Sequence, residues 1–336
     1  MFDVPLLLIA VIAVALLFDF TNGAHDCANA VAPVVSTRVL TPRAAIVMAA
    51  SLNLLGALLG EEVAHTLGSG VIRPDIIAGS RILVPGALTG AVVWNALTWR
   101  FGIPSSSSHA LIGGLMGSAT ALSGLGAVNT VSVAEKVLLP LVLSPMSGFV
   151  AGFILMSGIN LLFCRVVRSR AMHFFRRAQI VSCGCMALSH GLNDAQKTMG
   201  IIALALVVFG QEEVFRVPLW VKLACSLTMA AGTAVGGWSI VKTMGQKIFR
   251  LEPAHGFTAE LSAAAVIGGA SLLGAPVSTT HTITTAIFGV GSSTRLSAVR
   301  WGIAGNLLTA WALTLPASAC VGASAALLLK FFFGEW

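Results

Sequence analysis

The segment GIPSSSSHALIGGLMG occupies residues 102–117, and the related segment GAPVSTTHTITTAIFG occupies residues 274–289. In each, a glycine and a proline precede a run rich in hydroxyl side chains, a histidine closes the run, and an apolar stretch follows. Proline suits the first turn of a helix, because the N–H it lacks would have no partner there. The two segments therefore read as helix starts, with apolar helices over 110–116 and 282–290. Free backbone N–H groups and the positive end of the helix dipole make such a start a ready anion site. One hydroxyl suffices to cap a helix, so four in a row, Ser105 to Ser108, point beyond capping. Two such turns, one from each half of the chain, would close around a tetrahedral oxyanion from opposite sides.

A second motif recurs in step with the first. Gly23-Ala-His-Asp26-Cys-Ala-Asn29 returns as Gly191-Leu-Asn-Asp194-Ala-Gln-Lys197, 168 residues on, and Pro104 returns as Pro276, 172 residues on. Two motifs in one order at nearly one shift indicate a doubled chain. Asp26 and Asp194 stand within otherwise apolar segments. A carboxylate at mid-bilayer costs several kcal/mol (roughly 3) unless it is paired, protonated or faces a wet cavity. Gly-x-x-Asp is a reasonable helix cap in itself, and the segments are expected to be interrupted there. Recurrence in both halves brings the two Asp residues together at the midplane, where transporters keep their sites.

Composition sets the solvent. Of 336 residues 56% are hydrophobic and 10% charged, against about 25% charged in a soluble domain. One core cannot hide that much apolar surface, which makes the lipid bilayer a partner. The apolar run 5–18 has no preceding Lys or Arg and leads into Asp19-Phe-Thr-Asn22-Gly rather than a cleavage site, so it reads as a retained span. Six scattered cysteines lack the second pair that a zinc site needs. The net charge of +7 shows no basic runs interleaved with aromatics, and nucleic acid is not an expected partner.

Candidate spans are 4–36 (interrupted), 43–60, 81–99, 109–125 and 137–163, then 179–209 (interrupted), 218–241, 258–273, 276–292 and 301–329. That is about ten crossings, and short re-entrant hairpins would raise the helix count to twelve. The densest basic stretch is Arg165, Arg168, Arg170, Arg176 and Arg177. Placed in the cytoplasm, it brings Arg38, Arg43, Arg100, Lys242, Lys247, Arg250, Arg295 and Arg300 to the same side. Arg73, Arg81, Lys136, Arg216, Lys222 and Lys330 fall outside, thirteen against six, and both termini lie extracellular or periplasmic. Five crossings per half is an odd number, so the halves sit upside down relative to each other. The expected fold is an all-α inverted-repeat membrane protein: repeats over 1–165 and 179–336, joined by a short basic cytoplasmic linker over 166–178.

The chain resembles the PiT family of inorganic phosphate transporters in its short bacterial form. The match is carried by residues 22–31, Ser36-Thr-Arg38, Trp94-Asn95 with Thr98-Trp99, residues 104–109, residues 189–197, Ala259-Glu-Leu261 and residues 276–281. These run in family order from end to end. The resemblance implies a secondary transporter of the cell membrane with a phosphate site of Ser106, Ser107, Ser108, Ser278, Thr279 and Thr280. It implies that the Asp motifs bind the coupling cation or proton, through Asp26, Asn29, Asn193, Asp194, Gln196 and Lys197. His25, His109 and His281 are expected to pack behind them. No resident cofactor is expected; the partners are phosphate, lipid and a second copy of the chain.

Phosphate keeps a proton at neutral pH that a carboxylate can accept, whereas sulfate beside a buried Asp meets an unpaired charge costing about 2–5 kcal/mol. Sodium-coupled relatives carry Asn in both motifs where this chain has Lys197. An ammonium there takes space and charge that Na⁺ would use, which favours proton coupling, with a neutral metal–phosphate complex as a candidate substrate. Sodium coupling, with Asp26 and Asp194 as the metal ligands, and transport of sulfate or arsenate are the alternatives. An intramembrane hydrolase is disfavoured, because Ser108 and His109 are sequence neighbours and no Gly-x-Ser-x-Gly elbow is present.

Overall fold

The computed structural model describes residues 4–68 and 80–334. Its first half contains α1 (Val4–Ser36), α2 (Pro42–Leu58), the short α3 (Glu62–Gly68), α4 (Leu83–Phe101), α5 (Ser107–Ser123) and α6 (Leu139–Leu162). The second half contains α7 (Arg168–Val208), α8 (Leu219–Val235), the short α9 (Trp238–Lys242), α10 (Pro253–Leu272), α11 (Thr279–Thr294) and α12 (Trp301–Phe333). Among the described residues there is no strand. The ten longer helices correspond one to one with the expected spans.

Length and composition alone suit α1, α6 and α12 to crossing a membrane, and α8 joins α9 as a span bent by 60°. The others are shorter or carry the polar residues of the site. Apolar side chains cover the outside, with Leu161 and Leu162 76% exposed, Phe331 82% and Leu273 86%. An outward face of this kind needs a hydrocarbon solvent. The chain is a multi-pass membrane protein.

Two details differ from the sequence reading. The interruptions expected at Asp26 and Asp194 are absent, since α1 and α7 run unbroken through both. Each carboxylate finds partners on other elements, so it does not compete for the backbone of its own helix. The breaks fall instead at the proline turns. Gly102 closes α4 at φ 65° and Gly274 follows α10 at φ 69°, a left-handed conformation that glycine adopts without strain. Ser106 and Ser278 then cap α5 and α11, accepting hydrogen bonds from the His109 and His281 amides at 3.3 and 3.2 Å. The basic stretch expected as a linker is helical from Arg168 onward, forming the first turns of α7. Arg168 pairs there with Glu252 at 2.7 Å, and Arg176 donates to the Arg38 carbonyl at 3.1 Å. The expected outer position of Arg73 lies outside the described residues.

Packing repeats with a step of six helices. The α1 helix packs on α8 and α7 on α2; α6 packs on α11 and α12 on α5; α3 rests on α7 and α9 on α1. Two apolar cores result. One gathers Leu8 to Phe18 of α1 with Ala195 to Leu206 of α7 and Phe209 just beyond it. The other gathers Cys27 to Val34 of α1 with Phe175 to Ala187 of α7. The Asp motifs and both hydroxyl turns lie in the polar layer between these cores.

Candidate functional site

Asp26 projects from the middle of α1, buried among three polar side chains. His25 Nδ1 lies 2.7 Å from its Oδ1, Ser107 Oγ donates to Oδ2 at 3.1 Å, and Thr280 Oγ1 donates to Oδ1 at 3.1 Å. The carboxylate of the first half is thus held by hydroxyls from both proline turns. His25, expected to pack behind the site, touches it directly. Its other nitrogen lies 3.3 Å from Thr98 Oγ1 and 3.4 Å from Ser105 Oγ, and Ser105 donates to Thr98 at 2.9 Å.

Asp194 takes the matching place on α7. Lys197, one turn on, forms a close ion pair with its Oδ1. Thr279 Oγ1 donates to Oδ2 at 3.0 Å, and His190 Nε2 lies 3.1 Å from that oxygen. The Lys197 ammonium also donates to Ser108 Oγ at 2.5 Å and to the Val277 carbonyl at 3.3 Å. It therefore ties the Asp motif of the second half to the hydroxyl turns of both halves.

Asn29 occupies the position in α1 that Lys197 occupies in α7. Its amide donates to Thr279 Oγ1 at 3.2 Å and Thr280 Oγ1 at 3.0 Å. Those hydroxyls pass their own hydrogens to Asp194 and Asp26. Two carboxylates, six hydroxyls, two imidazoles, one amide and one ammonium form a single buried network. Asp26, His190 and Asp194 each offer one ligand atom, all within 4.8 Å of one another, a donor set suited to a cation.

Other sequence assignments land elsewhere. Gln196 accepts from the Val63 and Ala64 amides at 2.7 and 3.3 Å, capping α3 rather than joining the Asp cluster. Asn193 donates to Ser271 Oγ on α10 at 2.7 Å. Both flank Asp194 in sequence but face different neighbours, as adjacent positions on a helix must. Ser106 and Ser278 are helix caps, with oxygens committed to backbone. His109 and His281 lie with ring centroids 5.0 Å apart, and His281 stacks on Trp311 at 3.8 Å, so both pack behind the turns. His190 and Thr98 enter the network without having been assigned to the site, and Ser105, part of the hydroxyl run, enters through Thr98 and His25. The spacing of His190 and Asp194, one helical turn on the same apolar segment, is the signal that would have found the first of them.

This arrangement has relatives. The family model described as the Phosphate transporter family matches residues 22–170 and 163–322. A Rhizobium meliloti protein named "Probable low-affinity inorganic phosphate transporter" is 50% identical over 321 residues, covering 94% of this chain and 95% of that one. A Bacillus subtilis protein of the same name is 44% identical over 333 residues, covering 98% of this chain and 100% of that one. A solved structure described as "The sodium-dependent phosphate transporter" matches with a TM-score of 0.83 at 25% identity, over 97% of this chain and 100% of that one. Paired Asp motifs, paired hydroxyl turns and full-length similarity converge, and the chain belongs to the phosphate transporter family, the PiT family.

Proposed function

We propose that the protein imports inorganic phosphate across the cell membrane as a symporter coupled to protons. The carrying observation is the Lys197 ammonium, seated between Asp194, Ser108 and the Val277 carbonyl. A cation that compensates Asp194 from within the chain takes the charge that a bound Na⁺ would otherwise supply.

Phosphate suits the remaining groups. Ser107, Ser108, Thr279 and Thr280 offer hydroxyl donors from two helix starts, and the helix dipoles favour an anion between them. In the structure the Ser107, Thr279 and Thr280 hydroxyls point at Asp26 and Asp194. Phosphate would accept those hydrogens and return its own proton to one carboxylate, which replaces one of the donors the aspartates give up. Sulfate brings no proton to return. The trio of Asp26, His190 and Asp194 favours a second reading of the substrate, a divalent metal–phosphate complex whose metal they would contact as it passes.

The alternating-access unit in this proposal is an inverted pair of repeats, 1–165 and 179–336, with the basic start of α7 cytoplasmic and both termini outside. A hydrolase is not supported: Ser108 is engaged by Lys197, and the rings of His109 and His281 face each other.

The test is phosphate uptake into proteoliposomes in sodium-free buffer at two external pH values. Uptake that persists without sodium and rises as the outside is acidified is expected. An absolute sodium requirement overturns the coupling; sulfate carried as well as phosphate overturns the site chemistry.

A further inference from the structure

One buried carboxylate near the site is not accounted for by the network above. Asp19 lies on α1 seven residues before Asp26, about two turns or 10 Å along the helix and on nearly the same face. It is fully buried. Thr198 Oγ1 of α7 donates to Oδ1 at 2.8 Å, and Oδ2 has no partner.

The other buried carboxylates are partnered on both oxygens. Asp194 has Lys197; Asp26 has His25 and two hydroxyls; Glu260 receives Ser182 Oγ at 2.6 Å and Gln179 Nε2 at 3.3 Å, one on each oxygen. Asp19 has one neutral donor and, among the described residues, no paired cation. Of the helices packed on this part of α1, α7 presents Asp194 and Lys197, already paired with each other, and α8 presents Cys225. An isolated carboxylate at such depth is strongly disfavoured unless it takes up a proton.

Its surroundings are also short of partners. Asn22, one turn on from Asp19 toward Asp26, is buried with both amide atoms unpaired. Asn95, one turn before Thr98 on α4, is buried and unpaired in the same way. Asp19, Asn22, Asp26 and Asn29 thus form a polar file on one face of α1, spaced by three or four residues. Buried polar atoms without protein partners are places that take a proton or ordered water.

We propose that Asp19 is a proton-binding site, neutral in this state, that loads the coupling proton for phosphate transport. Its O–H proton passes along water beside Asn22 to the phosphate held between the two hydroxyl turns. Asp19 is left as a carboxylate and takes a new proton from the side of the membrane on which α1 begins. One proton enters for each that leaves, and no other reactant is consumed. This inference rests on the proton-coupled reading.

The test uses the full chain in sodium-free proteoliposomes containing a pH-sensitive dye. Labelled-phosphate counterflow at symmetric pH is compared with uptake and proton entry under an inward proton gradient, for the wild type, Asp19→Asn and Asp19→Glu. Asp19→Asn should keep counterflow within about twofold and lose gradient-driven uptake and phosphate-linked proton entry by about tenfold or more, as expected for a severed relay. Asp19→Glu should restore both. Gradient-driven proton entry undiminished in Asp19→Asn overturns the assignment, as does loss of counterflow in both variants, which would make the group structural. A wild type that shows no gradient-driven uptake removes the coupling reading itself, and that result is separable because it precedes any substitution.

Discussion

At the residue scale the protein is governed by the compensation of buried charge. Removing the amine in Lys197→Met leaves Asp194 with only Thr279 and His190, and breaking a buried ion pair costs about 3–5 kcal/mol. A lowered unfolding midpoint in detergent is the expected readout. Lys197→Asn, which makes the second motif match Asn29, should abolish sodium-independent uptake, measured by labelled phosphate. Asp26→Asn should lower uptake and erase the preference for phosphate over sulfate in competition assays; an intact preference would show that the carboxylate does not read the substrate's proton. The residues legible from sequence were those whose chemistry is costly in an apolar run: both aspartates, Lys197, and the hydroxyls of Ser107, Ser108, Thr279 and Thr280. Those missed, His190 and Thr98, take their meaning from contacts between helices. Gln196 and Asn193 were misplaced because closeness along the chain says nothing about which way a helical side chain faces.

At the element scale, two hydroxyls of the proline turns are spent on backbone. Ser106→Ala and Ser278→Ala each remove an N-cap and should cost about 1 kcal/mol of stability, while substrate specificity stays unchanged. Chemical denaturation beside a competition assay separates the two effects. Glycine placement is stricter. A Cβ at Gly191 would meet the Asn53 backbone oxygen, and one at Gly23 would meet that of Met229, so each Asp motif begins where a partner helix passes at contact distance. Gly191→Val should force α7 and α2 apart and abolish transport with loss of thermal stability. The spans were legible because apolar length is a strong signal. The unbroken course of α1 and α7 was not, because a polar cluster inside an apolar segment looks the same whether the backbone bends or its side chains find partners elsewhere.

At the scale of the whole molecule, charged side chains tie helix starts and ends together in separate places. Arg168 pairs with Glu252 and Arg176 donates to the Arg38 carbonyl, while Lys222 meets Glu61 at 2.8 Å elsewhere. The proposed topology makes Cys164, exposed between α6 and the basic start of α7, reactive to a membrane-impermeant maleimide only from the cytoplasmic side; labelling of intact cells at this position would invert the topology. The sequence carried the doubling through two motif pairs, but the matched packing of α1 on α8 with α7 on α2 needed three dimensions. The network between the two apolar cores has a consequence for how long cargo stays. The Ser107, Thr279 and Thr280 hydroxyls already donate to Asp26 and Asp194, so an anion that takes these hydrogens must first break those bonds. Cargo entering there would trade contacts rather than add them, and its departure would restore the pairs it displaced.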